Sequence, residues 1–390
     1  MPANVHVSLA ERTQGLWVSA YYAGWYWDSE GTAQAALDAV DMSNMTHFIF
    51  GRYAPGGDAG GLGGTAGDVI EAAGTGHAQV EQDLIDKAHT AGIKALAMLG
   101  GAGDSVAWEA STADQSTRDT FCTNIVDMCV AHDYDGVDVD WEENLTASSA
   151  LIIAFLGDLR TEAQTRARYQ SPNDPFIITF PAFTKNTNID SVAPWEVTVS
   201  TLVDQMNLMS YGQNYWGAGW ESWFFMPLTG HASTYPVDIA SSVQMYVDAG
   251  VVRSKMGMGI GLYGSYYMGT TTGPRQTIDG FGGGDDNWDT WENFYTKGLL
   301  DHADGTYVFD EAAGVGYYSY SPAASYQKAG WAEVEYLNML TTADPTTIAS
   351  LGAWAKAGNC GGTIVWTINN GFVTSLDTNP PMNQIGTAFL

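Results

Sequence analysis

Basic residues are scarce in this 390-residue chain: 15 Lys and Arg stand against 44 Asp and Glu, a formal charge of −29. A surface field of that sign repels phosphate backbones and anionic lipid heads, so neither nucleic acid nor a membrane surface is expected as a partner. Long apolar runs are missing too, and none approaches the ~18 consecutive residues of a membrane span. Cysteine is sparse, with Cys122, Cys129 and Cys360 the whole complement. The first two lie seven apart in a helix-patterned stretch, about 10 Å along the axis and beyond disulfide reach. A stapled framework is therefore not expected. The seven His show no HExxH spacing, so no catalytic metal is expected. The start, Met1-Pro2-Ala3-Asn4, lacks the charged opening and apolar run of a secretory signal.

Apolar and aromatic residues are plentiful: 45% of the chain is hydrophobic, with 14 Trp, 20 Tyr and 14 Phe. That content excludes disorder and can fill the core of one large or two modest domains. A charged fraction of only 15% beside 45 Gly suits a secreted enzyme that handles neutral polymers, and a secreted location is the expectation. A monomer is expected.

Short β-rich runs alternate with longer helix-patterned ones. Strands are expected at Trp17–Tyr22, Thr46–Phe50, Ala95–Leu99, Gly136–Asp140, Phe176–Phe180, Gln205–Met209, Met256–Ile260 and Gly362–Trp366. Amphipathic stretches such as 78–91, 117–131, 148–163, 239–249 and 346–357 lie between them. Eight strand-then-helix units imply an α/β chain folded as a (β/α)8 TIM barrel, one catalytic domain over residues 1–390. Most strand starts are roughly 29 to 51 residues apart. The interval from Met256 to Gly362 is 106. The excess, residues 264–326, reads as a small α+β insertion after the seventh strand, on the face where such barrels keep their active sites. The Gly-rich stretch 55–67 is expected to be a long loop after the second strand.

Chemistry concentrates in the run Asp135-Gly136-Val137-Asp138-Val139-Asp140-Trp141-Glu142. Side chains alternate along a strand, so Asp138, Asp140 and Glu142 share one face while Val137, Val139 and Trp141 share the other. A parallel barrel strand is normally apolar on both faces, and three inward acids break that rule. Same-face neighbours are about 7 Å apart, so full ionisation is disfavoured and one carboxyl should hold a proton near neutrality. A general acid is made in that way. A metal cluster is the weaker reading, because hard cations draw their oxygens from a compact loop.

The same run resembles the DxxDxDxE signature of the family 18 glycoside hydrolases, the chitinases and their relatives. The resemblance continues in strand order from about Trp17 to Trp366. Ala20-Tyr21-Tyr22 with Trp25 is similar to the first strand, and Ala97-Met98-Leu99-Gly100-Gly101 to the SxGG element, with Met98 where Ser is usual. Met209-Ser210-Tyr211 resembles the MxY motif of the sixth strand. Residues 255–264 and 361–366 resemble the seventh and eighth strands.

The resemblance implies a retaining, substrate-assisted glycosidase that uses no cofactor, the exception to the two-carboxylate scheme. Glu142 would be the acid and then the base, Asp140 would orient the substrate acetamide, Asp138 would share a proton with Asp140, and Tyr211 would donate to the acetamide oxygen. Trp366 would form the floor under the reacting sugar. Tyr21, Trp25 and Met209 would line the sugar-binding groove, and Tyr21 would also support Asp138; independently of the resemblance, Trp216 and Trp220 in the loop after the sixth strand are candidates to stack on sugar faces, with core packing the alternative. Asp135, Gly100 and Gly101 would be structural parts of the motifs. The implied substrate is chitin or N-acetylglucosamine oligomers, with an endo-β-N-acetylglucosaminidase acting on N-glycans and a chitin-binding lectin on the same barrel as alternatives.

The sequence departs from the family pattern at three places. Gly212 follows Tyr211 where Asp is common, Arg52 stands near a usual aromatic, and Glu143-Asn144 replaces an aromatic-Pro pair after Glu142. Trp223, Trp288 and Trp291 lie in the same two loop regions and suit either sugar stacking or core packing. The GxGxxG match at residues 259–264 is followed by aromatic loop residues rather than a helix, and dinucleotide binding is not expected.

Overall fold

Eight runs of branched, aromatic and small residues become parallel strands because both of their faces are buried. In Trp17–Ala23 (β1), Val18, Ala20 and Tyr22 join the layer beneath the helices, whereas Tyr21 points into the lumen with Ile49, Leu96, Met98, Ile177 and Ile364. The computed structural model describes residues 15–26, 37–57, 63–71, 78–214, 219–230, 237–328 and 331–390.

His47–Pro55 (β2) follows, then a short strand Val69–Glu71 (β3), Lys94–Gly100 (β4), Gly136–Asp140 (β5), Ile177–Phe183 (β6), Gln205–Met209 (β7) and Met256–Gly261 (β8). The insertion supplies Gly264–Met268 (β9), Gly280–Gly283 (β10), Gly305–Asp310 (β11), Val315–Tyr326 (β12) and Glu335–Thr342 (β13), and Gly362–Trp366 (β14) is the last strand. The barrel order is β1-β14-β8-β7-β6-β5-β4-β2, all parallel. Pairing of β1 with β2, Ser19 opposite His47, closes the ring. The eight-stranded barrel expected from the repeat is thus present.

Helices Ala78–Thr90, Gln115–His132, Leu145–Ala163, Pro194–Leu202, Ile239–Ala249 and Pro345–Trp354 cover the outside. The helix expected from residue 117 begins two residues earlier, because the Asp114 side chain accepts the Thr117 N–H at 3.0 Å and satisfies an end donor. Its C-terminus stops where Asp133 turns left-handed, with φ 68°. Cys122, Cys129 and Cys360 are buried free thiols.

The larger departures from expectation lie after the second strand and in the insertion. The stretch read as a loop from residue 55 is partly a hairpin: β2 runs on to Pro55 and pairs antiparallel with β3, Pro55 opposite Val69. Residues 58–62 of that stretch lie outside the described residues. The insertion also extends past residue 326, because β13 lies inside its five-stranded sheet, ordered β10-β9-β13-β12-β11. The β13 sequence lacks clean alternation for a physical reason. A register shift between Leu337 and Met339 turns Met339 toward the barrel, while Leu337 and Leu340 join Tyr266, Phe294 and Tyr326 in a second core.

Candidate active site

The three acids of the motif stand at the C-terminal end of β5, and each is held by different neighbours. Asp138 lies opposite Met98 of β4 and Thr179 of β6 and is 2% exposed. Its carboxylate accepts the Tyr21 hydroxyl at 3.0 Å, the Thr179 hydroxyl, and the Asn207 amide at 3.4 Å. Three other strands, β1, β6 and β7, therefore fix its position. Burial raises Asp138 to about 6, although these donors oppose the rise.

Asp140 is held well above the ordinary carboxylate range, first by burial and then by the charges of Glu142 and Asp138, while Arg52 pulls the other way. Glu142, just past the strand, is raised to about 7 by burial, then by the Glu143 charge, with the Ala102 amide opposing. A row of coupled carboxyls with one proton available near neutrality is what the alternation along β5 leads one to expect.

Gly100 and Gly101 let the end of β4 wrap around Asp140. At Gly100, φ is +96° and an added Cβ would sit 2.5 Å from the Asp140 carbonyl oxygen and 2.6 Å from Trp108 Nε1. The Gly101 N–H donates to the same carbonyl at 2.8 Å. Asp135 sits at the opposite end of the strand. It accepts the Ala95 N–H at 2.9 Å and faces His89 and Lys94 at 3.0 and 3.3 Å, so it staples the barrel's base, away from the other three acids.

An aromatic floor faces the acids. Trp366, at the end of β14, lies 5.4 Å from the Tyr21 ring and 6.2 Å from the Trp25 ring. Tyr211 follows β7 and, like Met209 and Trp366, packs against the cluster that fills the lumen. Its ring fits because β8 carries Gly259, where a Cβ would come within 2.9 Å of it. Burial, then the charges of Tyr263, Asp140 and Glu142, hold the Tyr211 phenol well above its ordinary range, so it stays a donor.

Several contributors were not legible in sequence. Asp286 reaches over from the insertion and accepts the Trp366 indole N–H at 2.6 Å, and the Asn370 amide donates to its carbonyl at 2.9 Å. Burial raises the Asp286 carboxyl. Its field acts on Tyr211 alongside those of Asp140 and Glu142. Gly212 has φ +68° and open space beside it; besides Asp140 and Glu142, the carboxyl whose field reaches Tyr211 is that of Asp286 in the insertion. Arg52 donates to the Gly100 carbonyl at 2.8 Å and to Asp104 at 2.5 Å, which puts a cation behind Asp140. Thr179 and Asn207 gave no signal, being ordinary residues on strands.

The tryptophans divide. Trp216 lies outside the described residues. Trp220 is half-buried next to Glu221, which bridges Thr277 of the insertion. Trp223 and Trp291 are core residues, 0% and 5% exposed, and so are not stacking platforms, whereas Trp288 is 38% exposed. Among the described residues no group of three or more His, Cys, Asp or Glu side chains is placed to hold a metal ion.

A cavity of about 690 Å³ opens at the other end of the barrel, lined by Trp17, His47, Lys94 and Gln205. None of the three acids borders it, and the candidate site is the carboxyl row.

The family model of the glycosyl hydrolases family 18 matches residues 18–371. The chain belongs to that family. Chitinase 1 of Aphanocladium album is 25% identical to this family 18 hydrolase over 381 residues, covering 94% of this chain and 84% of that protein. Endochitinase 1 of Metarhizium robertsii is 24% identical, covering 79% and 68%. In fold, the family 18 hydrolase resembles the Ostrinia furnacalis Group IV chitinase solved in complex with allosamidin, with a TM-score of 0.73 at 18% identity, covering 95% and 98% of the two chains. It also resembles the Cycas revoluta chitinase solved in complex with (GlcNAc)3, with a TM-score of 0.71 at 16% identity, covering 96% and 100%.

Proposed function

We propose that this family 18 hydrolase is a chitinase that cleaves β-1,4 bonds between N-acetylglucosamine units with retention, using the substrate's own acetamide as nucleophile. The observation that carries the reading is the inward row Asp138, Asp140, Glu142, whose last member is raised to about 7 and so holds a transferable proton. The chitinase names of the relatives support the substrate class, as does the (GlcNAc)3 bound by the Cycas revoluta protein.

In the first step Glu142 gives its proton to the glycosidic oxygen as the C1–O bond breaks. The acetamide carbonyl oxygen bonds to C1, leaving an oxazolinium ion and a Glu142 carboxylate. Asp140 accepts the acetamide N–H and faces the cation, and Asp138 takes up the proton the two carboxyls share, so that Asp140 bears charge when the cation forms. Tyr211 donates its O–H to the acetamide oxygen, and the Trp366 ring supports the apolar face of the sugar. In the second step water attacks C1, its proton passes to Glu142, and the acetamide is restored. No enzyme carboxylate bonds to the sugar. A monomer working outside the cell on chitin or its oligomers belongs to the same proposal.

The test is the product set from N-acetylglucosamine hexamer compared with that from a biantennary N-glycan, with and without a thiazoline mimic of the oxazoline. Cutting of the hexamer, blocked by the thiazoline, is expected. Cutting of the N-glycan alone makes the chain an endo-β-N-acetylglucosaminidase. Hexamer binding without cutting makes it a lectin, and indifference to the thiazoline defeats the substrate-assisted route.

A further inference from the structure

The turn that follows β4 presents successive donors to the end of β5. The Gly101 N–H takes the Asp140 carbonyl at 2.8 Å, and the Ala102 amide acts on the Glu142 carboxyl. The Gly103 N–H then donates to Glu143 Oε1 at 2.5 Å, and the Ser105 hydroxyl donates to the other oxygen of the same carboxylate. Ser105 and the Trp141 indole also donate to the Glu143 carbonyl, at 3.2 and 3.1 Å. Gly103, at φ +94°, lets the turn offer its amide this way. Two adjacent side chains, Glu142 and Glu143, are thus addressed by two adjacent amides of one turn. Arg52 and Asp104 brace that turn from behind, joined to each other at 2.5 Å.

We propose that Glu143 is a positioning residue for the reaction: it ties the turn at residues 101–105 to the end of β5 and sets a second negative charge beside Glu142. The inference rests on the chitinase reading given above. A fixed turn keeps the Ala102 amide and Arg52 at their stations beside Glu142 and Asp140. The charge of Glu143 favours the protonated acid. It is, after burial, the largest cause of the elevation at Glu142.

The other groups that face Glu142 are Asp138 and Asp140 on the strand it follows, Asp104 on the turn, and Tyr211 and Tyr263 just beyond β7 and β8. Arg52 from β2 acts through Asp140 and Asp104, and Asp286 of the insertion acts on the two tyrosines. Removing one negative charge from this set lowers the pH at which Glu142 gives up its proton. The alkaline limb of the rate profile must then move toward acid.

The experiment compares kcat and kcat/KM against pH for wild type, Glu143→Gln and Glu143→Ala on N-acetylglucosamine tetramer, with circular dichroism to verify folding. Glu143→Gln keeps an acceptor and removes the charge, and its alkaline limb should move toward acid by roughly half a pH unit or more. Glu143→Ala removes the tie as well, and should also lose about tenfold in kcat at every pH. An unmoved limb in Glu143→Gln, or an undiminished kcat in folded Glu143→Ala, overturns the proposal. If Glu143→Ala does not fold, the limb of Glu143→Gln decides. A wild-type chain that leaves the tetramer uncut defeats the chitinase reading instead.

Discussion

Above neutrality the folded chain must hold Glu142 as an anion in a place where burial and the Glu143, Asp138 and Asp104 charges favour the neutral acid. Glu142→Gln removes that burden. A carboxyl whose folded pKa lies above its unfolded one adds most stability below the unfolded value, and loses that contribution as pH rises through the folded value. For Glu142 the window runs from its ordinary 4.5 to about 7. If Glu142 titrated alone, the loss would be about 3 kcal/mol. Partial access to solvent and proton sharing with Asp140 reduce it to on the order of 2 kcal/mol. For a chain of this length that is a rise of about 2–4 °C in the melting temperature of Glu142→Gln over wild type at about pH 8. The gap should close at about pH 4, where both forms are neutral. Thermal unfolding followed by circular dichroism at several pH values measures it. A variant that melts at or below the wild-type temperature at the alkaline end, or a gap that is constant with pH, refutes the assignment of a raised acid at this position.

Two further outcomes follow from the geometry. Tyr211→Phe removes the donor aimed at the acetamide and should lower kcat on a chromogenic chitobioside by about 10- to 100-fold with a smaller change in KM; an unchanged kcat takes Tyr211 out of the reaction. Gly100→Ala places a Cβ 2.5 Å from the Asp140 carbonyl oxygen at a left-handed φ, and should cost about 2–4 kcal/mol in urea unfolding. A midpoint equal to wild type would mean that the end of β4 is free to move.

The barrel was legible because its strands repeat one instruction eight times, and β5, β7 and β14 coincide with the expected spans. The acid row was legible for a related reason: alternation alone puts Asp138, Asp140 and Glu142 on one face. Contacts that depend on distant chain were not. Asp286 meets Trp366 across 80 positions and lies in a Gly-rich insertion whose path no local pattern specifies. The strand β13 escaped notice because its register shift splits its apolar residues between two cores. Trp223 and Trp291 could not be separated from Trp288 by sequence, since an indole serves a core and a sugar face equally well. Glu143 stood out as a departure from the family pattern, but its partners Gly103 and Ser105 become visible only once the turn is folded.

The central claim is that Glu142 supplies the proton that opens the glycosidic bond. Turnover of N-acetylglucosamine tetramer by Glu142→Gln, measured beside the variant's affinity for the trimer, tests it most directly. A fall in kcat of roughly a thousandfold or more with trimer binding kept within a few-fold is predicted. Turnover near the wild-type rate would contradict it.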